Sequence, residues 1–128
     1  MITEDYVSFE VAKLLKEKGF VTPCDWMYCS DGTFGHRNSL WDKEMFLAPT
    51  HQMAMKWLRE HGFHITIIIS YDYSADADGN EVDRWTFYIF EIHSSFSGEL
   101  IYAEEIDEYD SYEEAVESAL KYALEKLI

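Results

Sequence analysis

The sequence predicts an α+β fold in which a three-stranded antiparallel meander packs with about three helices, with a short fourth strand left open. Between residues 63 and 106, three segments alternate apolar and polar residues and are separated only by short turn-rich stretches. Apolar residues at helical spacing precede and follow these segments. Consecutive strands with short connections pair as antiparallel neighbours, so we expect the order α-(β)-α-β-β-β-α in a single domain, residues 1–128.

The first helix is predicted over "TEDYVSFEVAKLLKEKG", residues 3–19. Thr3 is the expected cap, acidic residues follow it where the helix dipole favours them, and Gly19 ends the helix. The expected buried stripe consists of Val7, Val11, Leu14 and Leu15. Pro23 bars continuation of this helix, and "CDWMYCS" (24–30) is the segment that forms the optional strand.

Residues 30–48 carry two glycines and no clear period. A long irregular stretch of this kind is uncommon in a compact domain and is often functional. A second helix is predicted from Pro49 and Thr50 to Gly62, where helical spacing changes to alternation.

Three strands are predicted at 63–73, 84–93 and 99–106, and their apolar residues fall on both faces of the sheet. We expect Ile67, Trp85 and Phe87 on one face and Ile68, Tyr88 and Phe90 on the other. Ser111 and Glu114 form a capping box for the last helix. The stripe of that helix is Ala115, Val116, Ala119, Leu120, Ala123 and Leu127.

Charge is the most unusual bulk property, with 25 acidic and 10 basic residues and a net charge of −15. Most of the excess lies after residue 71. Such a surface repels nucleic acid and anionic membranes, so neither is an expected partner. The sequence shows no transmembrane span or signal peptide, and two cysteines are too few for a disulfide scaffold, so a cytoplasmic location is expected.

The sequence contains no motif that indicates a catalytic residue, a metal ligand or a cofactor. The loop around Asp76 and Asp78 resembles a calcium loop, but its register puts Trp85 where a bidentate Glu is needed. Cys24 and Cys29 lack the second ligand pair of a structural zinc site. Phosphate-binding glycine loops and the G-x-S-x-G nucleophile motif are also missing from the sequence, which favours a non-enzymatic role.

Two candidate surfaces remain. A ligand or partner surface is predicted around the 30–48 segment and the neighbouring histidines, with Phe34, Arg37, Trp41, His51 and His64. An acidic partner surface is predicted with Glu104, Glu105, Asp107, Glu108 and Asp110. The aromatic residues of the first surface equally fit a lid over the core, and the carboxylates of the second equally fit a solvated helix start.

Two stretches, "LWDKEMFLAPTHQMAMKWLREHGFHITI" and "SYEEAVESALKYALEKLI", resemble a set of small acidic proteins of unknown function from gut bacterial genomes and their phages. The shared features are Trp41, the Ala48-Pro49-Thr50 helix start, Lys56 to Glu60 and residues 111–128. The resemblance implies a phage- or mobile-element-associated protein, and it implies no catalytic residue or cofactor.

We therefore expect a small non-enzymatic interaction protein with an unknown protein partner. A sheet that is apolar on both faces needs cover from its own helices or from another copy, which makes a homo-oligomer an expectation. The first alternative is an acidic mimic of nucleic acid that inhibits a basic host protein. The second alternative is a ligand-binding protein or enzyme that uses the 30–48 loop.

Overall fold

The computed structural model describes residues 4–39 and 44–128, and it contains three α-helices and two three-stranded antiparallel sheets. This confirms the predicted α+β class. In chain order the elements are α1 (Phe9–Glu17), β1 (Trp26–Cys29), β2 (Phe34–His36), β3 (Met45–Leu47), α2 (His51–Glu60), β4 (Phe63–Ala75), β5 (Glu81–Ser94), β6 (Leu100–Ala103) and α3 (Tyr112–Tyr122). A π-helical turn, Ala123–Leu127, continues α3.

Each helix begins at a hydroxyl cap that satisfies a free backbone N–H. The Thr50 Oγ1 accepts from the Met53 N–H at 3.2 Å, at the predicted start of the second helix. The Ser111 Oγ accepts from the Glu114 N–H at 3.1 Å, as predicted for the last helix. The predicted start of the first helix is wrong. Its cap is Ser8, and Thr3 lies outside the described residues.

The first helix starts late because the chain before it is held in an extended conformation. The Val7 N–H donates to the Pro49 carbonyl at 3.0 Å, and the His51 N–H donates to the Asp5 carbonyl at 2.8 Å. These two bonds tie the segment before α1 to the start of α2, so residues 5–7 are unavailable for helical hydrogen bonds.

The described parts of the 30–48 segment, residues 30–39 and 44–48, are more regular than the sequence predicts. β2 and β3 lie within this segment and pair with opposite edges of β1, which gives a small sheet of order β2-β1-β3. Strands of three residues are too short to show an alternating period, and for this reason the second sheet escapes sequence analysis.

β4 and β5 form one long hairpin, with a register that runs from Phe63 opposite Ser94 to Ala75 opposite Glu81. Both strands are longer than predicted. β6 is shorter than the predicted 99–106, because the chain turns where the Glu104 carboxylate accepts the N–H groups of Ile106 and Asp107.

The register also corrects the predicted faces of this sheet. Ile67 lies opposite Phe90, and Ile68 lies opposite Ile89. Opposite residues share a face, so Ile67 belongs with Phe90 and not with Trp85 or Phe87. The relative register of two strands cannot be inferred from the alternation within each of them.

The main core lies between the base of the β4–β5 hairpin and the helices. α2 and α3 both contact β4, and α3 also contacts β5. The largest fully buried side chains include Phe90, Ile92, Leu58, Leu120 and Leu15. Burial of each such side chain stabilises the fold by roughly 1.5–3 kcal/mol.

The hairpin extends well beyond this core. We call its distal part, residues 69–86, the arm. Its apolar side chains remain open to solvent: Ile69 is 60% exposed, Tyr71 55%, Tyr73 50%, Val82 66% and Trp85 44%.

Candidate functional site

One face of the hairpin is covered by helices near its base. On the same face, the arm carries apolar side chains that the helices do not cover. Near the base, Ile65 and Phe90 lie on this face and are buried. Farther out, the same face carries Ile69, Tyr71 and Tyr73. The change from burial to exposure along one face shows that the helices end before the strands do.

Arg84 partly covers Tyr71, one of the exposed tyrosines of the arm. Its guanidinium lies 4.4 Å from the centre of the Tyr71 ring and forms a 2.6 Å ion pair with Glu81. The hydrogen bond from Arg84 lowers the pKa of the Glu81 carboxyl, desolvation opposes it, and the charge of Arg84 adds to the lowering. The cation of the arm is thus engaged within the arm itself.

The opposite face of the hairpin also lacks full cover. Trp85 is exposed on this face, and Ile68, Phe87 and Ile89 are only half-buried. A two-stranded hairpin is at best marginally stable without packing, so an arm with two open apolar faces is unusual unless another surface covers it.

β4 is an edge strand, with β5 on one side and no strand of the described residues on the other. Its sequence, "FHITIIISYDYSA", holds one carboxylate and neither Lys nor Pro. Proteins commonly protect exposed edges with Lys, Pro, short strands or bulges. Here the single irregularity in the pairing with β5 lies at the far end, between Ser74 and Ala75.

A second feature is a hydrogen-bonded histidine–glutamate contact that joins the three helices. His51 is 6% exposed, and its Nε2 lies 2.8 Å from the Glu117 Oε1. The Ser8 N–H donates to the same carboxylate oxygen at 2.8 Å. Burial raises the pKa of Glu117, but the hydrogen bonds from His51 and Ser8 outweigh it and leave the pKa lowered.

This pair lies at a surface cavity of about 590 Å³. The cavity is rich in carboxylates and is lined by Asp5, Tyr6, Ser8, His51, Tyr109, Glu113, Glu114, Glu117 and Ser118. Glu117 of α3 is hydrogen-bonded to His51 of α2 and to Ser8 at the start of α1. The observed role of this contact is therefore to hold the three helices together.

The predicted ligand or partner surface is not brought together. Phe34 stacks on Trp26 with ring centres 5.2 Å apart, on the small sheet. Arg37 lies next to that sheet and contacts Asp25 at 3.9 Å. His51 is buried at the helix junction, and His64 is exposed at the start of β4. The fifth predicted residue, Trp41, lies outside the described residues.

The predicted acidic surface divides into two parts. Glu104 is half-buried, and it accepts hydrogen bonds from the Tyr102 hydroxyl and from the backbone N–H groups of Ile106 and Asp107. Burial raises its pKa, but these bonds outweigh burial and lower it. Burial and the neighbouring Glu104 raise the pKa of Tyr102 to about 12.

The other four residues of the acidic surface are exposed. They are Glu105, Asp107, Glu108 and Asp110. Glu104 thus shapes the turn, whereas the remaining carboxylates are available to a partner.

The arm was not predicted as a site, although the sequence carries a signal for it. The alternation of apolar residues continues through "IIISYDY" to Tyr73, well past the length that one helix layer covers. The pairing of His51 with Glu117, which are 66 residues apart in the chain, was not predicted either.

Among the described residues, no three or more His, Cys, Asp or Glu side chains are grouped so as to hold a metal ion. Within the same ranges, no helix is long and apolar enough to span a lipid bilayer. No protein-family model matches the chain, and neither a curated protein nor a solved structure matches it.

Proposed function

We propose that this protein is a small non-enzymatic interaction protein that binds another protein chain through the arm. The observation that carries the proposal is the run of exposed apolar side chains, Ile69, Tyr71, Tyr73, Val82 and Trp85, on a hairpin that extends past its own helices. Ile69, Tyr71 and Tyr73 follow one another on one face, and contiguous exposed apolar surface of this kind is typical of protein interaction sites.

The composition of the arm supports this proposal. Aromatic side chains are enriched in protein interfaces, and three of the five exposed apolar residues are Tyr or Trp. The edge of β4 adds unpaired backbone groups, which a bound strand satisfies by β-augmentation. The resemblance to phage and gut bacterial proteins favours a phage- or mobile-element-associated role, and the low cysteine content favours the cytoplasm.

The proposal is tested by removing the apolar groups of the arm without changing its charge. The test variant carries Ile69→Ser, Tyr71→Ser and Trp85→Ser, all at exposed positions. The control carries Val21→Ser and Ile106→Ser, which are 80% and 89% exposed and lie outside the arm. Tagged proteins are recovered from the expressing cells, and the bound proteins, including untagged copies of the chain, are quantified.

We expect the control to retain every protein that the wild type binds, and the arm variant to lose at least one of them. Circular dichroism shows whether both variants keep the fold. Equal recovery of all bound proteins by the wild type and a folded arm variant would exclude the arm as the binding element.

A second candidate function, mimicry of a nucleic-acid backbone, is favoured by the four exposed carboxylates within residues 105–110. Its test changes Glu105 and Glu108 to Gln and Asp107 and Asp110 to Asn, and leaves Glu104 intact because it holds the turn. The control neutralises four exposed glutamates elsewhere, Glu4, Glu17, Glu60 and Glu99.

Both variants have the same net charge, so they differ only in where the charge is removed. Mimicry predicts binding to a basic nucleic-acid enzyme of the host that is lost in the first variant, is kept in the second and weakens as salt is added. If both variants bind equally, or if no basic protein binds at low salt, mimicry is excluded.

A further inference from the structure

We infer that the chain bound by the arm is a second copy of this protein, paired antiparallel along the free edge of β4 across a two-fold axis at Ile69. The two three-stranded sheets then form one continuous six-stranded sheet. This inference rests on the proposed function, since it names the partner of the same arm.

The first support is the edge itself. β4 has 13 residues, and at about 3.3 Å per residue it presents an edge roughly 43 Å long. Neither Lys nor Pro interrupts it, and no strand of the described residues pairs with it. Such an edge is a template for another strand, and an identical strand in the antiparallel direction satisfies both copies equally.

The second support is the match between covered and uncovered residues. A two-fold axis at Ile69, the middle residue of β4, places Ile67 opposite Tyr71 of the other copy and Ile65 opposite its Tyr73. Ile65 is buried and Ile67 is half-buried beneath the helices, whereas Tyr71 and Tyr73 are exposed. The exposed arm of each copy thus lies beside the helix-covered base of the other copy's hairpin.

The third support is charge. Two chains of net charge −15 repel each other, so a contact between copies requires a surface with few carboxylates. β4 holds one, Asp72, and the two-fold register places it opposite Thr66 and diagonal to His64 of the other copy. No two carboxylates face each other along this edge.

The ends of the two arms also complement each other. The hairpin tip carries Asp76 and Asp78, and the base of the hairpin carries Arg59, His61 and His64 together with Glu60. Antiparallel pairing brings each acidic tip towards the more basic base of the other copy. A parallel arrangement would place the two acidic tips together, which favours the antiparallel one.

The inference is tested by measuring the mass of the purified protein by sedimentation from micromolar to millimolar concentration. We expect the wild type to reach twice the 15.1 kDa mass of one chain. Ile69→Lys puts two like charges on the axis and should weaken the dimer by about tenfold or more. Val21→Lys, a charge at a position that is 80% exposed and lies outside the arm, should leave it unchanged.

The symmetry of the contact is tested by Ile69→Cys. Opposite residues of antiparallel strands have Cα atoms about 4.5–5.5 Å apart, a spacing that suits a disulfide. Oxidised glutathione should therefore link two Ile69→Cys chains but not two Ile106→Cys chains, since Ile106 lies outside the arm and the buried Cys24 and Cys29 are common to both.

A wild type that stays at 15.1 kDa up to millimolar concentration would overturn this inference, and so would a dimer that Ile69→Lys leaves intact. Neither result affects the proposed function, because recovery of a different protein by the wild type, and its loss in the arm serine variant, would still identify the arm as a binding element.

Discussion

At the scale of single residues, Glu117 connects the three helices through one carboxylate oxygen. This oxygen accepts from the Ser8 N–H at the start of α1 and lies 2.8 Å from the His51 Nε2 of α2, while Glu117 itself belongs to α3. Its side chain is 26% exposed, so water replaces little of what a substitution removes.

Glu117→Ala should therefore lower the free energy of unfolding by about 2–3 kcal/mol, because it leaves a backbone N–H and a buried imidazole without their acceptor. Glu117→Gln should cost less, since its amide oxygen still accepts one bond. Urea denaturation measures both. The exposed Glu113→Ala on the same helix is the control, and an equal loss in that variant would contradict the role of Glu117.

The same carboxylate predicts a dependence of stability on pH. The pKa of Glu117 is lower in the folded chain than the usual 4.5, so the unfolded chain binds more protons in the interval between the two values. Its contribution to stability is complete above about pH 4.5 and is lost as the pH falls through the folded pKa.

Denaturation between pH 7 and pH 3 should consequently show a steeper acid loss in the wild type than in Glu117→Gln. Asp76, Glu81 and Glu104 also have lowered pKa values, and they contribute equally to both proteins. Parallel pH curves for the two proteins would contradict this assignment.

The burial of His51 is predictable from its spacing in the sequence, whereas its partner Glu117 is not. His51 stands four and seven residues before Met55 and Leu58 on α2, so it falls on the buried stripe. Glu117 comes from a helix 66 residues away, and only the tertiary fold brings the two together.

At the scale of elements, the turn from α2 into β4 depends on Gly62. Its φ is +98°, and an added Cβ would lie 2.8 Å from the Phe96 ring. Gly62→Ala should therefore lower the free energy of unfolding by more than about 1 kcal/mol. Gly79, at the arm tip, has φ +85° and nothing within 4 Å of an added Cβ.

Gly79→Ala is thus the matched control, because it bears the backbone strain without the steric contact. Thermal or urea denaturation of the two variants isolates the contact with Phe96. Equal destabilisation would show that the ring moves aside at no cost.

Sequence patterns predict some of these elements and not others. The alternation in "ITIIISYDY" and "RWTFYIFEI" predicts the hairpin. The start at Pro49 and Thr50 predicts the second helix, and the Ser111 cap predicts the last one. The small sheet was not predictable, because two of its three strands are only three residues long and take their order from pairing with β1. The late start of α1 likewise depends on the distant Pro49 carbonyl.

At the scale of the whole molecule, the net charge of −15 opposes any contact between copies. A dimer joined along the nearly neutral β4 should therefore become more stable as salt is added, since salt screens the repulsion between the two chains. Sedimentation at about 0.05 M and 0.5 M salt measures this dependence. Mimicry predicts the opposite trend for binding to a basic protein, so the sign of the salt effect separates the two functions.

The most direct measurement is a mixing experiment with opposite charges at position 69. Ile69→Lys and Ile69→Asp each place like charges against each other on the two-fold axis. At the lowest concentration at which the wild type is a dimer, each variant alone should therefore sediment mainly as a single chain of about 15 kDa. Mixed in equal amounts, they place Lys opposite Asp, and we expect a heterodimer of twice that mass. A mixture that remains monomeric, although the wild type is a dimer, would show that Ile69 does not lie on the axis and would contradict the pairing of two arms along β4.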